Sequence, residues 1–473
     1  MPVIFITDAL IFVLVFMVCL FIWYSRRHEH LCIPWRQVGE NPLAMATAVV
    51  LLFYIAVGLL DSIHFHPRLD DENQEEIKYS TNILSVLDVL TEKLRSRVEK
   101  TYSAPFATHA YAKEMIDLPD GTRLRDYPRL NYGGSHLNDP DKDIVPDILT
   151  KTIIGIVMGI MIWLVLSAMI IFSLSRIRRS DIKTEFRCII RGRDQIPGKI
   201  PWHVILITLG CIIIGITTVV YLSGFYHVLG TDKVGQDVLY QSLKSVRTGL
   251  LIGTLTTLIM LPFAIALGIM AGYFSGWIDD VIQYLYTTLN SIPGVLLIAA
   301  AILMLEVYMT NHAGDFTSIE QRADMRLLFL CMILGIMSWT GLCRLLRGET
   351  LKLREIDYVQ AARAFGTGHI TIMLRHILPN VMHIVMISIV LDFSGLVLVE
   401  AVLAYISIGV DPTMASWGNM INSARLEMAR EPIVWWSLSA AFMFMLGLVL
   451  SANLFADAVR DAFDPRIRTI PAS

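Results

Sequence analysis

Apolar residues along this chain run in long uninterrupted blocks instead of alternating with polar ones. A helix needs about 20 mainly apolar residues to cross the hydrocarbon core of a bilayer. Nine blocks are long enough, at roughly 3–24, 42–60, 148–174, 202–224, 247–272, 283–308, 327–346, 381–404 and 434–457. In lipid the backbone has no water to bind, so only helices or closed barrels span it, and blocks of this length predict helices. The pattern predicts an all-α polytopic membrane protein with about nine transmembrane helices.

The polar stretches between the blocks set a topology. Segment 175–201 carries Arg176, Arg178, Arg179, Lys183, Arg187, Arg191, Arg193 and Lys199 against three acids. Segment 347–375 carries Arg347, Lys352, Arg354, Arg363 and Arg375, and Arg26, Arg27 and Arg36 mark a third basic loop. Short basic loops stay in the cytoplasm. Nine alternating spans put all three loops, and the C-terminal Arg460, Arg466 and Arg468, on one side. The expected orientation is N-terminus outside, C-terminus cytoplasmic.

The same alternation places 61–147 outside. It holds 11 basic and 17 acidic residues. Ile83, Leu87, Leu90, Leu94 and Val98 recur at helical spacing behind possible caps Ser80, Thr81 and Asn82, predicting one amphipathic helix. Turn residues crowd 117–136. A small exterior subdomain is expected, either a packed cap or a recognition surface.

Composition agrees with a membrane protein, with 55% hydrophobic and 17% charged residues. A net charge of −3 gives no sign of nucleic-acid binding. None of Cys19, Cys32, Cys188, Cys211, Cys331 and Cys343 lies in 61–147, so no structural disulfide is expected. The first block ends in Phe21, Trp23 and Tyr24 with no small-residue cleavage site after it, which reads as a retained span.

Catalytic motifs are not evident. A phosphate-binding loop needs Gly, four residues, Gly-Lys and a hydroxyl residue for magnesium; Gly192 to Gly198-Lys199-Ile200 has five intervening residues and no hydroxyl. No His-Glu-x-x-His pattern occurs, and His64, His66, Cys32 and Cys188 lack a ligand cluster, so no metal is expected. Two acids sit inside a predicted span, Asp392 near its middle and Glu400 near its outer end. Charge in lipid is expensive, so both should face protein or water. Eight residues apart on a helix is about 80° of rotation, so one broad face could hold both. Asp392 either lines a path through the membrane or is a neutral acid bonded to a neighbouring span.

The polar stretch 357–380, DYVQAARAFGTGHITIMLRHILPN, reads as helix, break and a second helix re-entering the membrane. Ala361 and Ala362 would let another surface approach, Gly366 would allow a turn, and Pro379 fits a helix start or kink. The stretch resembles the cytoplasmic coupling motif of binding-protein-dependent ABC importers, which runs Glu-Ala-Ala, three residues, Gly, nine residues and a four-residue ending in Leu-Pro. Here Gln360, Ala361, Ala362, Gly366 and His376-Ile377-Leu378-Pro379 keep the spacing. Gln360 replaces the usual glutamate, and His376 stands where isoleucine is general. Tyr358 lies on the same helix.

Three more segments resemble the C-type permease subunit of dipeptide and oligopeptide importers. They are 229–239 (LGTDKVGQDVL, with Gly230, Thr231, Asp232, Gly235 and Asp237, and Gln236 where Arg is usual), 399–418, and 456–468 (ADAVRDAFDPRIR). The resemblance covers about 200–468; residues 1–174 exceed the usual six-span form.

The span pattern gives a three-span N-terminal module at 1–174 with exterior segment 61–147. A basic linker at 175–201 follows. The resemblance implies a six-helix permease core at 202–473 with coupling loop 357–380, and a non-enzymatic subunit in the bacterial inner membrane. Its partners would be a second permease subunit, two ATP-binding subunits that hold ATP and magnesium, and an exterior substrate-binding protein. The cargo would be peptides; a nickel complex, an antimicrobial peptide or a metallophore are rivals. A membrane sensor or scaffold built on the exterior segment is the reading of another class.

Overall fold

The computed structural model describes residues 1–463 apart from 28, 70–77, 118–122, 179–185, 187–199, 313 and 315–317. Most of the basic linker, with Cys188 and the near-match at Gly192–Lys199, lies outside the described residues, as do residues 464–468 of the C-terminal segment.

The chain begins with strand β1 (Pro2–Val3), then helices α1 (Ile6–Ser25), α2 (Glu29–Glu40) and α3 (Pro42–Asp61). Segment 61–147 follows with β2 (His64–Phe65), β3 (Arg68–Leu69), β4 (Lys78–Tyr79), β5 (Leu84–Ser85), α4 (Val86–Leu90), α5 (Glu92–Ser96), β6 (Glu114–Asp117) and β7 (Arg123–Asp126). Then come α6 (Pro140–Arg178), α7 (Trp202–Ser223), α8 (Val238–Phe274), α9 (Trp277–Ser291), α10 (Gly294–Asn311) and α11 (Ile319–Leu353). The chain continues through α12 (Asp357–Ala364), α13 (His369–Ile372), a π-helical turn (Met373–Ile377) and α14 (Leu378–Tyr405) to α15 (Trp417–Glu427) and α16 (Trp436–Phe463).

Among the described residues eight helices are long and apolar enough to cross a membrane. They are α3, α6 from Lys142, α7, α8, α10, α11, the run His369–Tyr405 and α16. The first sequence block forms α1, with an apolar stretch Ile6–Leu20.

Two expectations are corrected. The block 283–308 is not one helix: α9 ends at Ser291 and α10 starts at Gly294. Pro293 lies between them, and the residue before a proline is pushed out of the helical region, as Ile292 is at ψ 128°. The amphipathic helix over 83–98 is also two short pieces. Its cap is Ser85, not Ser80, Thr81 or Asn82: the Ser85 hydroxyl accepts from Asp88 N, while the Asp88 carboxylate accepts from Ser85 N. Six short strands within 61–126 pair with one another or with β1: β2 joins β1 to β5, β3 pairs with β4, and β6 with β7, all antiparallel.

The chain folds as two compact units: Met1–Val3, Trp35–Thr248 and Ala415–Phe455 form the first, and Ile4–Pro34, Gly249–Met414 and Ala456–Ser473 the second. In the first, α6 lies along α7 because glycines remove the side chains between them. A Cβ on Gly155 would sit 2.8 Å from Thr218 Cα, and one on Gly159 2.8 Å from Ile214 Cα. Small residues four apart are a membrane device for close helix approach. Trp163 Nε1 donates to Leu206 O at 2.8 Å and fills the space above Gly210. Lys244 holds both Asp88 (2.8 Å) and Asp61 (3.3 Å), tying α4 to α3 and α8.

The second unit repeats the device. Gly268 and Gly272 of α8 face α11, where a Cβ would meet Cys343 O at 2.9 Å and Arg347 O at 2.8 Å. Around this crossing lies an apolar core containing Met260, Cys343, Leu346, Val359, Ile372, Ile377 and Val381. The buried Asp279 of α9 binds the Arg347 guanidinium at two points, one of 2.6 Å.

Gly159→Leu should force α6 from α7 and destabilise by about 1–3 kcal/mol, the usual cost of overpacking. Thermal unfolding of the detergent-purified chain should show a clear drop in Tm. Gly39→Leu, where a Cβ meets nothing within 4 Å, serves as the neutral control. Equal melting of the two variants would remove close approach as the reason for Gly159.

Candidate functional site

Residues 357–380 form a folded arm on the second unit. Asp357 opens α12, where a negative charge favours the helix N-terminus. The helix closes on Gly366, whose φ is +76°, with Gly366 N donating to Arg363 O and Thr367 N to Ala362 O. Nothing lies within 4 Å of a Cβ at Gly366, so the left-handed backbone, not crowding, calls for glycine there. The arm is fixed from below: Val359, Ile372 and Ile377 are fully buried in the unit's core, and Ala362 packs on it. Tyr273 OH and His369 Nδ1 are 2.8 Å apart, adding a polar tie to α8.

Ala361 is exposed while Ala362 is half-buried on the chain's own core. Both small residues keep open surface, Ala361 the more of the two. The outward surface includes a residue the sequence reading passed over: Phe365 is 90% exposed, and Ile370 on the next helix 69%. A large aromatic left bare at the last turn before a glycine was the available signal.

Gln360 has a use that glutamate could not fill. Its amide donates to Glu355 O at 3.1 Å and lies 3.3 Å from a Glu355 carboxylate oxygen. A second carboxylate there would lack the donor and repel Glu355. Asn380 Nδ2 donates to Tyr358 OH (2.9 Å) and His376 O (2.6 Å), and the Tyr358 and His376 rings lie 6.2 Å apart. Helical structure runs from His369 onward through the π-turn Met373–Ile377, with Leu378 and Pro379 opening α14. In a regular helix the Pro379 ring would strike the carbonyl four residues back, and the wider turn relieves that clash.

Asp392 and Glu400 have different surroundings. Asp392 lines a cavity of about 560 Å³ with Gly341, Leu342, Arg344, Leu345, Ser388 and Leu391. Glu400 is buried, 3% exposed, and is not on that wall. Arg344 is the second charge on the wall, and the sequence reading did not single it out.

The segment 229–239 is folded into the first unit. Gly230 and Gly235 have φ of +72° and +76°. A Cβ on Gly235 would overlap Glu99 O, at 1.8 Å. Thr231 Oγ1 donates to Thr101 O at 2.9 Å and accepts from Ser103 N at 2.7 Å. Asp232 accepts from Val234 N and Gln236 N, shaping the turn. Asp237 accepts from Leu239 N at the start of α8 and from the buried His227 ring at 2.8 Å. Trp436 Nε1 closes the set on Thr231 O. Glu99 sits 3.5 Å from the other side of His227 and accepts from Asn131, Tyr132 and Gly133 N. Neither His227 nor Glu99 was singled out in the sequence, because their partners are distant along the chain.

Burial opposes charge on His227, but hydrogen bonding to Asp237 and then Glu99 outweighs it and lifts the ring to about 9. Burial likewise opposes charge on Glu99, yet His227 and the three backbone donors hold it at about 2. The His227 contribution is complete below its unfolded pKa of about 6.5 and is lost as pH rises through 9. The Glu99 contribution is complete above about 4.5 and is lost as pH falls towards 2. Anchoring of 99–133 should thus be strongest between about pH 4.5 and 6.5. Hydrogen-exchange protection of the Asn131–Gly133 amides, corrected for intrinsic rates, should decline on both sides. His227→Gln should lower protection at pH 6 and flatten the alkaline decline. A wild-type profile without that decline would mean the ring is neutral.

The family described as binding-protein-dependent transport system inner membrane component matches residues 264–469. A glutathione transport system permease protein, GsiD of Pectobacterium atrosepticum, is 30% identical over 51% of this chain and 74% of that protein. An oligopeptide transport system permease protein, OppC of Mycobacterium tuberculosis, is 32% identical over 52% of this chain and 78% of its own length. Among solved structures, an inward-facing form of the MetNI methionine ABC transporter covers 47% of this chain and 94% of that one, at TM-score 0.34 and 17% identity. With eight long apolar helices, the matched coupling-motif spacing and relatives covered over about three quarters of their length, the chain belongs to the binding-protein-dependent transport system inner membrane components, as a multi-pass ABC importer permease subunit.

Proposed function

We propose that this chain forms half of the translocation path of a peptide importer in the bacterial inner membrane. A second permease subunit supplies the other half. Two ATP-binding subunits, which carry ATP and magnesium, drive it, and an exterior binding protein delivers cargo. The N-terminus lies outside and the C-terminus in the cytoplasm, so 61–147 is exterior and 357–380 cytoplasmic. Peptide as cargo is supported by the similarity to the oligopeptide and glutathione permeases.

The observation that carries the reading is the arm at 357–380. Its buried side is locked into the membrane core through Val359, Ile372 and Ile377, and its outer side bares Phe365 and Ile370. Such a surface accepts a partner groove and passes its motion to α14. ATPase closure would then press on α12 and rock the core helices about the cavity that holds Asp392. The chain itself performs no covalent chemistry.

Phe365→Ser and Ala361→Glu alter exposed positions only. A free surface tolerates such changes within about 0.5 kcal/mol; an interface does not tolerate a buried unpaired charge. Both variants should insert normally, lose uptake by about tenfold or more and co-purify poorly with the ATPase subunits. Normal uptake and co-purification for both would make the arm a surface loop. Orientation is checked with single cysteines at Lys100 and Thr371, both exposed, in a cysteine-free background. An impermeant thiol reagent should label position 100 and not 371 in intact cells, and the reverse result would invert the topology.

A further inference from the structure

The cavity wall in the second unit is built from two matching stripes. Gly341, Arg344 and Leu345 of α11 follow the spacing i, i+3, i+4, and Ser388, Leu391 and Asp392 of α14 do the same. Residues so spaced share a helix face, so each helix presents one face to the same space. That space, about 560 Å³, falls within the roughly 300–1,000 Å³ of small-ligand sites.

Each stripe carries one charge in an otherwise apolar or small-residue setting. Asp392 is half-buried, and among the described residues it has neither a hydrogen bond nor an ion pair. Arg344 has no carboxylate within ion-pair distance among the described residues; its contact is with the Tyr286 ring, 5.8 Å from the centroid. The two charges do not neutralise each other, although they line one cavity. A charge in the membrane with no partner is costly, and its retention marks a pathway or ligand site. Two opposite, unjoined charges on one wall complement a molecule that carries both signs, held apart by an apolar body.

We propose that Arg344, Ser388 and Asp392 form a transit site selective for zwitterionic cargo. Asp392 receives a protonated amine, Arg344 a carboxylate, and Ser388 offers a hydroxyl one helical turn from Asp392. This deepens the reading of the cavity as part of the translocation path and rests on it. Specificity of this kind is imposed in the membrane, on cargo already released from the binding protein. An ammonium–carboxylate contact and a guanidinium–carboxylate contact belong to the stronger class of hydrogen bonds.

The test uses the assembled transporter in nanodiscs without the binding protein. The probes are labelled trialanine and its doubly blocked form, acetyl-trialanine amide. Trialanine should bind saturably and the blocked form, which loses both charged contacts, about a hundredfold or more weakly. Asp392→Asn and Arg344→Gln should each reduce trialanine binding about tenfold or more, part of the way to the blocked form, with the partner subunits still co-purifying. No saturable trialanine binding, equal binding of both probes, or unchanged binding in the two variants would overturn the proposal. So would loss of the second permease subunit from either variant, which would assign the charges to a subunit contact. The path reading is tested separately by Ser388→Trp, which fills the cavity. If it leaves uptake intact, the cavity is not on the path. If it blocks uptake while Asp392→Asn and Arg344→Gln transport normally, the path stands and the charge selectivity fails.

Discussion

Everything that distinguishes the arm at 357–380 from a loop depends on three aliphatic side chains. Val359, Ile372 and Ile377 are buried in the core that α8, α11 and α14 share. An eight-residue helix has little stability of its own, and α12 exists because this burial fixes it. Removing roughly 1.5–3 kcal/mol of apolar burial per side chain would leave the segment without a reason to be helical. The same burial leaves Phe365 outside, since the helix has one inner face and gives way at the next residue, Gly366, to a left-handed turn.

Close approach of helices is the second constraint. In lipid the hydrophobic effect does not press one apolar helix against another, so packing must come from shape. Gly155 and Gly159 supply it between α6 and α7, and Gly268 and Gly272 between α8 and α11. Each pair turns a spacing of four residues into a groove that the neighbouring backbone enters.

Much of the membrane architecture was legible in the sequence because hydrophobic block length is set by bilayer thickness. The spans appear where the blocks lie, and the positive φ at Gly366 follows from a glycine between two helical stretches. What escaped the reading has identifiable causes. The break at Ile292–Pro293 lies within an apolar run, where hydropathy is blind to a proline's effect on its neighbour. Two-residue strands such as β2 and β5 are too short to show a period of two. The His227–Glu99–Asp237 cluster joins residues far apart along the chain, which no local pattern records. Glu400 shows the limit of a face argument: rotation about a helix axis could place it beside Asp392, but burial in the fold left only Asp392 on the cavity.

The π-turn at Met373–Ile377 has a consequence for geometry further along the chain. A π-turn holds about one residue more than a regular turn, and one residue is worth about 100° of rotation. Every side chain of α14 beyond it is therefore phased against α12 by that single surplus residue. The helix uses it as a gearwheel uses an offset tooth: with the surplus present, the stripe Ser388–Leu391–Asp392 meets the cavity. Were the turn wound to a regular pitch while α12 stayed in place, the same stripe would point a quarter-turn or more away from it. The orientation of Asp392 is thus set four helical turns upstream, by a proline.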